Sequence, residues 1–359
     1  MKVAVICHLE YPIAQPFAGG LETHTWFLCQ SLMARGHQVT VFASGDSDQR
    51  LNLVPLVAKS FALEKAMSAA EKDFKKEIVY QKLLHQINRS DFDLIHNNSL
   101  NHIPFLAAQN LRIPMLTVLH TPPFAKLFAA ARSVPASAQF KLLAVSQAIA
   151  QQWQPVTSEV VYNGTDISQW TFNPHPEPNS ALWFGRFVPE KSPHEAILAT
   201  QLAGFKLKLA GPISDADYFR QKVLPHIDGD RVQYLGHLSH QQLKTVVGQA
   251  AVFVNTPSWA EPYGLVYAES LACGTPVAAF ESGAVREIID DTCGCVVPQR
   301  CLTQLAAAIH SAAQRSRQQC RLRAEKFCSL ETMIDHYEAH YRQLLSASVE
   351  PLPEVAGAA

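Results

Sequence analysis

Short β-rich apolar runs alternate with amphipathic stretches along almost the whole chain, and the alternation is interrupted once. Runs at 2–7, 38–43, 94–98, 114–120, 141–146 and 159–163 come first. A proline- and glycine-bearing segment without a periodic apolar face, 164–178, then marks a boundary. Beyond it lie runs at 181–184, 206–210, 232–235, 251–255, 276–280 and 295–297, with helical stretches between them. Alternation of this kind builds a parallel sheet with helices on both faces, so the pattern predicts two sequential doubly wound α/β domains, 1–165 and 166–334. With 359 residues, 48% of them apolar, the chain can bury two cores. A helical region at about 302–345 is long enough for more than one helix, and a mobile tail is expected at 346–359.

Charge excludes one class of function. Thirty basic and 31 acidic residues leave a net charge of −1, which is no surface for a polyanion, so no nucleic-acid partner is expected. Cysteines at 7, 29, 273, 293, 295, 301, 320 and 328 form no CxxC pair. The 293, 295, 301 group fits no standard zinc spacing, so no metal is expected and reduced thiols are. The opening MKVAVICHLEYP reaches a histidine and a glutamate too soon for a signal-peptide core or a membrane span, and the expected location is cytoplasmic.

In open parallel sheets the strand C-termini line the ligand crevice, so polar groups there are the site candidates. After the first strand no GxGxxG follows. The connection HLEYPIAQPFAGG instead puts Gly19 and Gly20 at a helix start, where they serve either loop flexibility or close approach of backbone to a phosphate. His96-Asn97-Asn98-Ser99 and His120-Thr121-Pro122-Pro123 close two buried strands. His120 reads as a site residue or a cap. The stretch 60–89 reads as a helix carrying lysines at 65, 72, 75, 76 and 82, a solvated face or a place of peripheral membrane contact.

The second domain opens with GRFVPEKSP. Gly185 ends a strand, Arg186 follows, and Lys191 precedes the next helix. One helix end, worth about 0.3–2 kcal/mol to an anion, cannot balance a diphosphate alone, and these two cations face the same crevice; singly, each reads equally as a solvated surface charge. Further on, EPYGLVYAESLACGTPVAA spans 261–279 as loop, helix, turn and strand. Pro262 suits a first helical turn and Gly274 a helix end. Backbone donors near Tyr263, Gly264 and Leu265 then make an anion seat, and Gly264 lets a ligand approach. Glu269, in the helix, can accept two hydrogen bonds from a vicinal diol such as a ribose, or be an ordinary surface acid. Glu261, before the helix, is placed for sugar hydroxyls.

GRFVPEKS with EPYGLVYAESLACGTPV is similar to the paired motifs of the retaining nucleotide-sugar glycosyltransferases of family 4, and AGGLETH and VYNGTD resemble that family too, colinearly over about 300 residues. The resemblance implies the GT-B fold, an α/β architecture of two facing Rossmann-like domains with the site in the cleft between them, and a C-terminal helix at about 335–345 returning to the first domain. It assigns Arg186 and Lys191, with Gly185 before them, to the donor diphosphate, Glu269 to the ribose, and Glu261 with the backbone at Tyr263, Gly264 and Leu265 to the transferred sugar. Gly19 and Gly20 would approach the phosphates, and His120 would lie beside the sugar. Ser192 stands where the family commonly has glycine, and Ser282-Gly283-Ala284 where it often has paired glycines.

The implied reaction moves a hexosyl group from a nucleoside-diphosphate sugar, UDP-linked by preference, to an acceptor hydroxyl without metal or other cofactor. Competing readings are a non-hydrolysing nucleotide-sugar epimerase and a nucleotide-sugar-binding protein without catalysis. The acceptor stays open among a sugar, a lipid-linked glycan and a small molecule. Tyr11, Phe17, Phe105, Phe124 and Phe128 are candidates for its pocket or for ordinary packing.

Overall fold

The computed structural model describes residues 1–135 and 137–347. The tail expected at 346–359 lies, from residue 348 on, outside them. The chain divides into two compact units. One holds Met1–Val145, Ile149–Val161 and the chain from Ile334, and the other Ser146–Ala148 and Tyr162–Met333.

In the first unit seven parallel strands, β1 (Lys2–Cys7), β2 (Gln38–Ser44), β3 (Leu53–Val57), β4 (Leu94–Asn98), β5 (Met115–Leu119), β6 (Phe140–Ala144) and β7 (Glu159–Val160), lie in the order β3-β2-β1-β4-β5-β6-β7. Helices α1 (Gly20–Ala34), α2 (Ala69–Ile87), α3 (His102–Ala107), α4 (Ala125–Ser133) and α5 (Gln147–Gln152) link them. Strands covered on both faces must be apolar throughout, and β1, β4 and β5 are buried almost end to end. The sequence pattern passes over β3, LVPLV, because Pro55 cannot donate to a ladder; the structure puts it at the sheet edge, where that loss is tolerated. The helix expected at 60–89 starts only at Ala69. There Ser68 and Glu71 cap each other's backbone, and residues 61–63 form a separate 3₁₀ turn.

The second unit repeats the plan. Strands β8 (Ser180–Phe184), β9 (Lys206–Ala210), β10 (Val232–Tyr234), β11 (Val252–Asn255), β12 (Val277–Phe280) and β13 (Gly294–Val297) are parallel in the order β10-β9-β8-β11-β12-β13. Their helices are α6 (Pro193–Ala203), the one-turn α7 (Ala216–Tyr218), α8 (His240–Gln249), α9 (Leu265–Ala272), α10 (Val285–Ile288), α11 (Leu302–Ala313) and α12 (Arg317–Phe327). The core packs Trp183, Phe187, Ile197, Leu209, Val254 and Ile309.

Both units are Rossmann-like. Each reverses its strand order at one point, between β1 and β4 and between β8 and β11, and such switch points open a ligand crevice at the strand C-termini. The last helix, α13 (Leu330–Ala347), joins the first unit from Ile334 on, through Arg35 to Asp335 (2.6 Å), His37 to Glu338 (2.9 Å) and His96 Nδ1 to Tyr341 Oη (2.6 Å).

Candidate functional site

At the second unit's switch point, β8 ends in Gly185 and Arg186, and β11 runs into the loop that carries Glu261. Arg186 is exposed and has no ion-pair partner among the described residues. Lys191 ends a 3₁₀ turn, Pro189–Lys191, and its Nζ lies 2.5 Å from Glu261 Oε2. Trp259 Nε1 donates to the same oxygen at 3.2 Å, and the ammonium sits 5.6 Å from the Trp259 ring centroid. Glu261 is buried and Lys191 half-buried, so an acid of the kind that suits a sugar and a cation of the kind that suits a phosphate hold each other here. Trp259 joins this candidate cluster although the motifs did not single it out; a lone tryptophan in SWAEPYG carries no spacing signal.

The loop is fixed from beneath by residues 282–284. Ser282 Oγ donates to the Trp259 carbonyl, the Glu261 amide reaches Ser282 Oγ (3.4 Å), and the Ala284 amide donates to the Glu261 carbonyl (3.1 Å). Gly283, at φ 51°, lies so close that a Cβ on it would sit 2.0 Å from the Glu261 carbonyl oxygen. One glycine therefore provides the close approach, while Ser282 provides hydrogen bonds.

Helix α9 begins at Leu265, later than expected. Pro262 is not in the first turn: Gly264 is the cap, at φ 88°, and Pro262 precedes it by two residues. A left-handed cap needs glycine, and a Cβ there would strike the Tyr267 ring at 2.5 Å. The opening amides of an α-helix have no acceptor within it, and no side chain caps these, so the uncapped amides lie at Leu265 and Val266 with Gly264 before them. Tyr263 is buried in the packing. Glu269 shares the half-exposed face of α9 with Leu265 and Val266, while Tyr267, Ala268 and Leu271 face inward. Although Glu269 is half-exposed, the loss of surrounding water pushes its carboxyl up to about 7. Ser192 takes a left-handed backbone, φ 43°, which explains why glycine suits that position; its Oγ donates to the Pro189 carbonyl (2.8 Å).

In the first unit, His120 follows β5 and is buried. Its Nε2 lies 2.8 Å from Asn98 Oδ1, which also faces His96 Nε2 at 3.1 Å, while Asn98 Nδ2 donates to Thr25 Oγ1 (3.2 Å). With the carboxamide so placed, both imidazoles donate from Nε2, and Nδ1 of His120 is left as an acceptor. Burial and then the neighbouring His24 hold His120 well below the usual imidazole range and His96 at about 3, so both rings are neutral. Neutral His120 can orient a hydroxyl but carries no charge to a phosphate. Gly19 caps α1 in an extended conformation and Gly20 begins it. Glu22 Oε1, from the AGGLETH motif, meets His8 Nε2, just after β1, at 2.9 Å as a buried pair.

A cavity of about 480 Å³ opens at this unit's switch point, between the segments after β1 (His8 to Glu10) and β4 (Ser99 to His102), with α2 and the start of α4 as walls. Of the five aromatics considered for an acceptor pocket, only Phe124 lines it. Phe105 is core and packs on Phe140 (5.9 Å), Phe128 packs near Trp153 (5.9 Å), Phe17 near Trp26 (6.0 Å), and Tyr11 is exposed outside the cavity. Among the described residues no group of three or more potential ligands could hold a metal ion, all eight cysteines are free, and no helix is long and apolar enough to cross a membrane.

Residues 18–169 match the family model Glycosyltransferase Family 4, and residues 166–327 match Glycosyl transferases group 1. A glycogen synthase of Mycobacterium tuberculosis is 29% identical over 211 residues, 55% of this chain and 51% of that protein, so the chain spans about half the length of this relative. A D-inositol 3-phosphate glycosyltransferase of Mycolicibacterium smegmatis is 24% identical over 81% of this chain and 78% of its own. The solved structure of Anabaena Alr3699/HepE in complex with UDP shares the fold, with a TM-score of 0.75 at 18% identity, covering 95% of this chain and 100% of that one.

Proposed function

We propose, since the chain belongs to the group 1 glycosyl transferases with the GT-B fold, that it moves a hexosyl group from a nucleoside-diphosphate sugar to an acceptor hydroxyl, with retention and without a metal. The observation that carries this reading is the Lys191–Glu261–Trp259 cluster beside the uncapped start of α9. A donor entering there exchanges partners with it: Lys191 turns to the diphosphate with Arg186, and Glu261 turns to sugar hydroxyls. Glu269 takes the ribose diol. Gly19, Gly20 and the acceptor nitrogen of His120 are assigned to the same donor.

In the proposed step the bond from the anomeric carbon to the diphosphate oxygen breaks while the acceptor oxygen bonds on the same face. The acceptor proton passes to the departing phosphate oxygen. A double displacement needs two close carboxylates at the anomeric carbon, whereas Glu261 is the one acid assigned to the sugar and is given to its hydroxyls, which favours the front-face route. Charge on the leaving group is met by Arg186, Lys191 and the α9 amides, and no metal is needed for it. UDP is the preferred nucleotide, in keeping with the UDP that the Anabaena protein holds. Eight unpaired thiols suit the reducing cytoplasm. Any peripheral membrane contact would fall at exposed Leu63, Lys65, Phe74 and Lys75.

The test is a thermal-shift and turnover screen across UDP, GDP and ADP sugars, since a ligand of the folded state raises apparent stability. UDP sugars are expected to stabilise most and to be consumed. A protein that no nucleotide sugar stabilises overturns the reading, and an epimerised donor appearing without acceptor replaces transfer with isomerisation.

A further inference from the structure

The cavity of the first unit has a charge pattern that selects its guest. Three carboxylates, Glu10, Asp73 and Glu77, and two ammonium groups, Lys76 and Lys126, line it. The cations are already engaged. Lys76 Nζ is 2.8 Å from Glu10 and 3.8 Å from Asp73, and Lys126 Nζ and His102 Nε2 are each 3.4 Å from Glu77. A phosphate entering would have to break these pairs and would then face more acids than ammonium groups. Hydroxyl groups meet no such barrier, because carboxylates accept their hydrogen bonds while keeping their cations. Beside these groups the ring of Phe124 stands 46% exposed at the wall, an apolar face on which the C–H side of a pyranose or cyclitol can lie.

The cavity's shape is held at a cost. Leu100, in its wall, has φ 53°, a conformation that a side chain of this size rarely adopts, and such strain clusters at ligand sites. It is kept by a ladder of short-range bonds: the Ser99 amide to Asn97 Oδ1 (3.1 Å), the Asn101 amide to Ser99 Oγ (3.2 Å) and the Ile103 amide to Asn101 Oδ1 (2.9 Å). Tyr80 spends its hydroxyl on the Cys7 carbonyl (2.8 Å), so it bounds the space without offering a donor.

We propose that this cavity is the acceptor site and that the acceptor group it takes is an uncharged sugar or polyol, bound through Glu10, Glu77 and the face of Phe124, and not a phosphorylated one. The assignment rests on the glycosyl-transfer reading for its role, but the selectivity is a property of the cavity and is measured without donor. Saturation-transfer NMR on the full chain, with methyl hexosides and myo-inositol set against glucose 6-phosphate and myo-inositol 3-phosphate, reads it directly. At least one neutral probe should bind, roughly tenfold or more tightly than its phosphorylated partner, since like charges brought together oppose binding. Phe124→Ala should weaken the neutral probe, and Glu10→Gln with Glu77→Gln, which frees Lys76 and Lys126, should reverse the preference. Equal or tighter binding of the phosphorylated probe by the native protein, or no contact from any neutral probe, overturns the proposal. Failure of the transfer reading appears elsewhere, in the donor screen, and leaves this binding result standing.

Discussion

The two units place their strands in the same order and reverse it at the same point, yet the reversal points carry different chemistry. After β8 and β11 stand an exposed arginine, a pairing of half-buried Lys191 with buried Glu261, and an uncapped helix start, groups of the kind a diphosphate calls for. After β1 and β4 stands an open cavity whose charges are internally balanced. The shared topology supplies the place in each case, and side chains on the loops decide what that place can bind. The donor role is accordingly proposed for the second unit and the acceptor role for the first.

The largest effect that would break this contrast is at Lys191. Lys191→Ala should lower transfer by about a hundredfold or more. It should also lower Tm, because a buried carboxylate loses its cation. A folded variant that transfers normally would end the diphosphate assignment. Gly283→Ala comes next: its Cβ would overlap the Glu261 backbone, so a stability loss of about 1–3 kcal/mol is expected in denaturant unfolding, with weakened donor binding. An unchanged midpoint would mean that the loop yields easily.

Much of the candidate site in the second unit was legible because its residues lie close in sequence. GRFVPEK and EPYGLVYAE each place several groups on one loop, and a glycine that must be left-handed shows itself by its identity. The Lys191–Glu261 contact was not legible, since the two residues are 70 positions apart and each invited its own ligand. The cavity of the first unit was opaque for the same reason in stronger form: its wall draws on four separated segments, and of its acids Glu10 follows β1 while Asp73 and Glu77 lie on α2, a stretch whose lysines read as a charged face. The edge strand β3 was hidden by Pro55, and Phe105 looked like a pocket residue only because burial is not written in a single residue. The alternation itself carried the fold class, as parallel strands buried on both faces leave uninterrupted apolar runs.

Two pH measurements sharpen the contrast further. Glu269 is neutral below about 7, and a carboxylate accepts diol hydrogen bonds better than the acid does, so nucleoside-diphosphate affinity should fall as pH drops through 7. Glu269→Gln should remove that part of the dependence, and identical profiles would take the ribose away from it. In the first unit the depressed imidazoles work through stability. The unfolded chain binds protons at His96 from its ordinary 6.5 downward, while the folded one does so only near 3. Their stabilisation is therefore full above 6.5 and lost as pH falls toward 3. His96→Asn should flatten the urea midpoint against pH in that window, and an unaltered slope would contradict the buried neutral ring. The smallest effect is at Ser192→Gly, which relieves a left-handed residue but loses the bond to Pro189, for a net change within about 1 kcal/mol.

The division of labour between the two switch points is tested most directly by the thermal shift that UDP produces in three forms of the chain: native, Lys191→Ala and Phe124→Ala. UDP should raise Tm in the native and Phe124→Ala proteins alike and leave Lys191→Ala almost unmoved. A shift that survives in Lys191→Ala and vanishes in Phe124→Ala would place the nucleotide at the wrong end of this account.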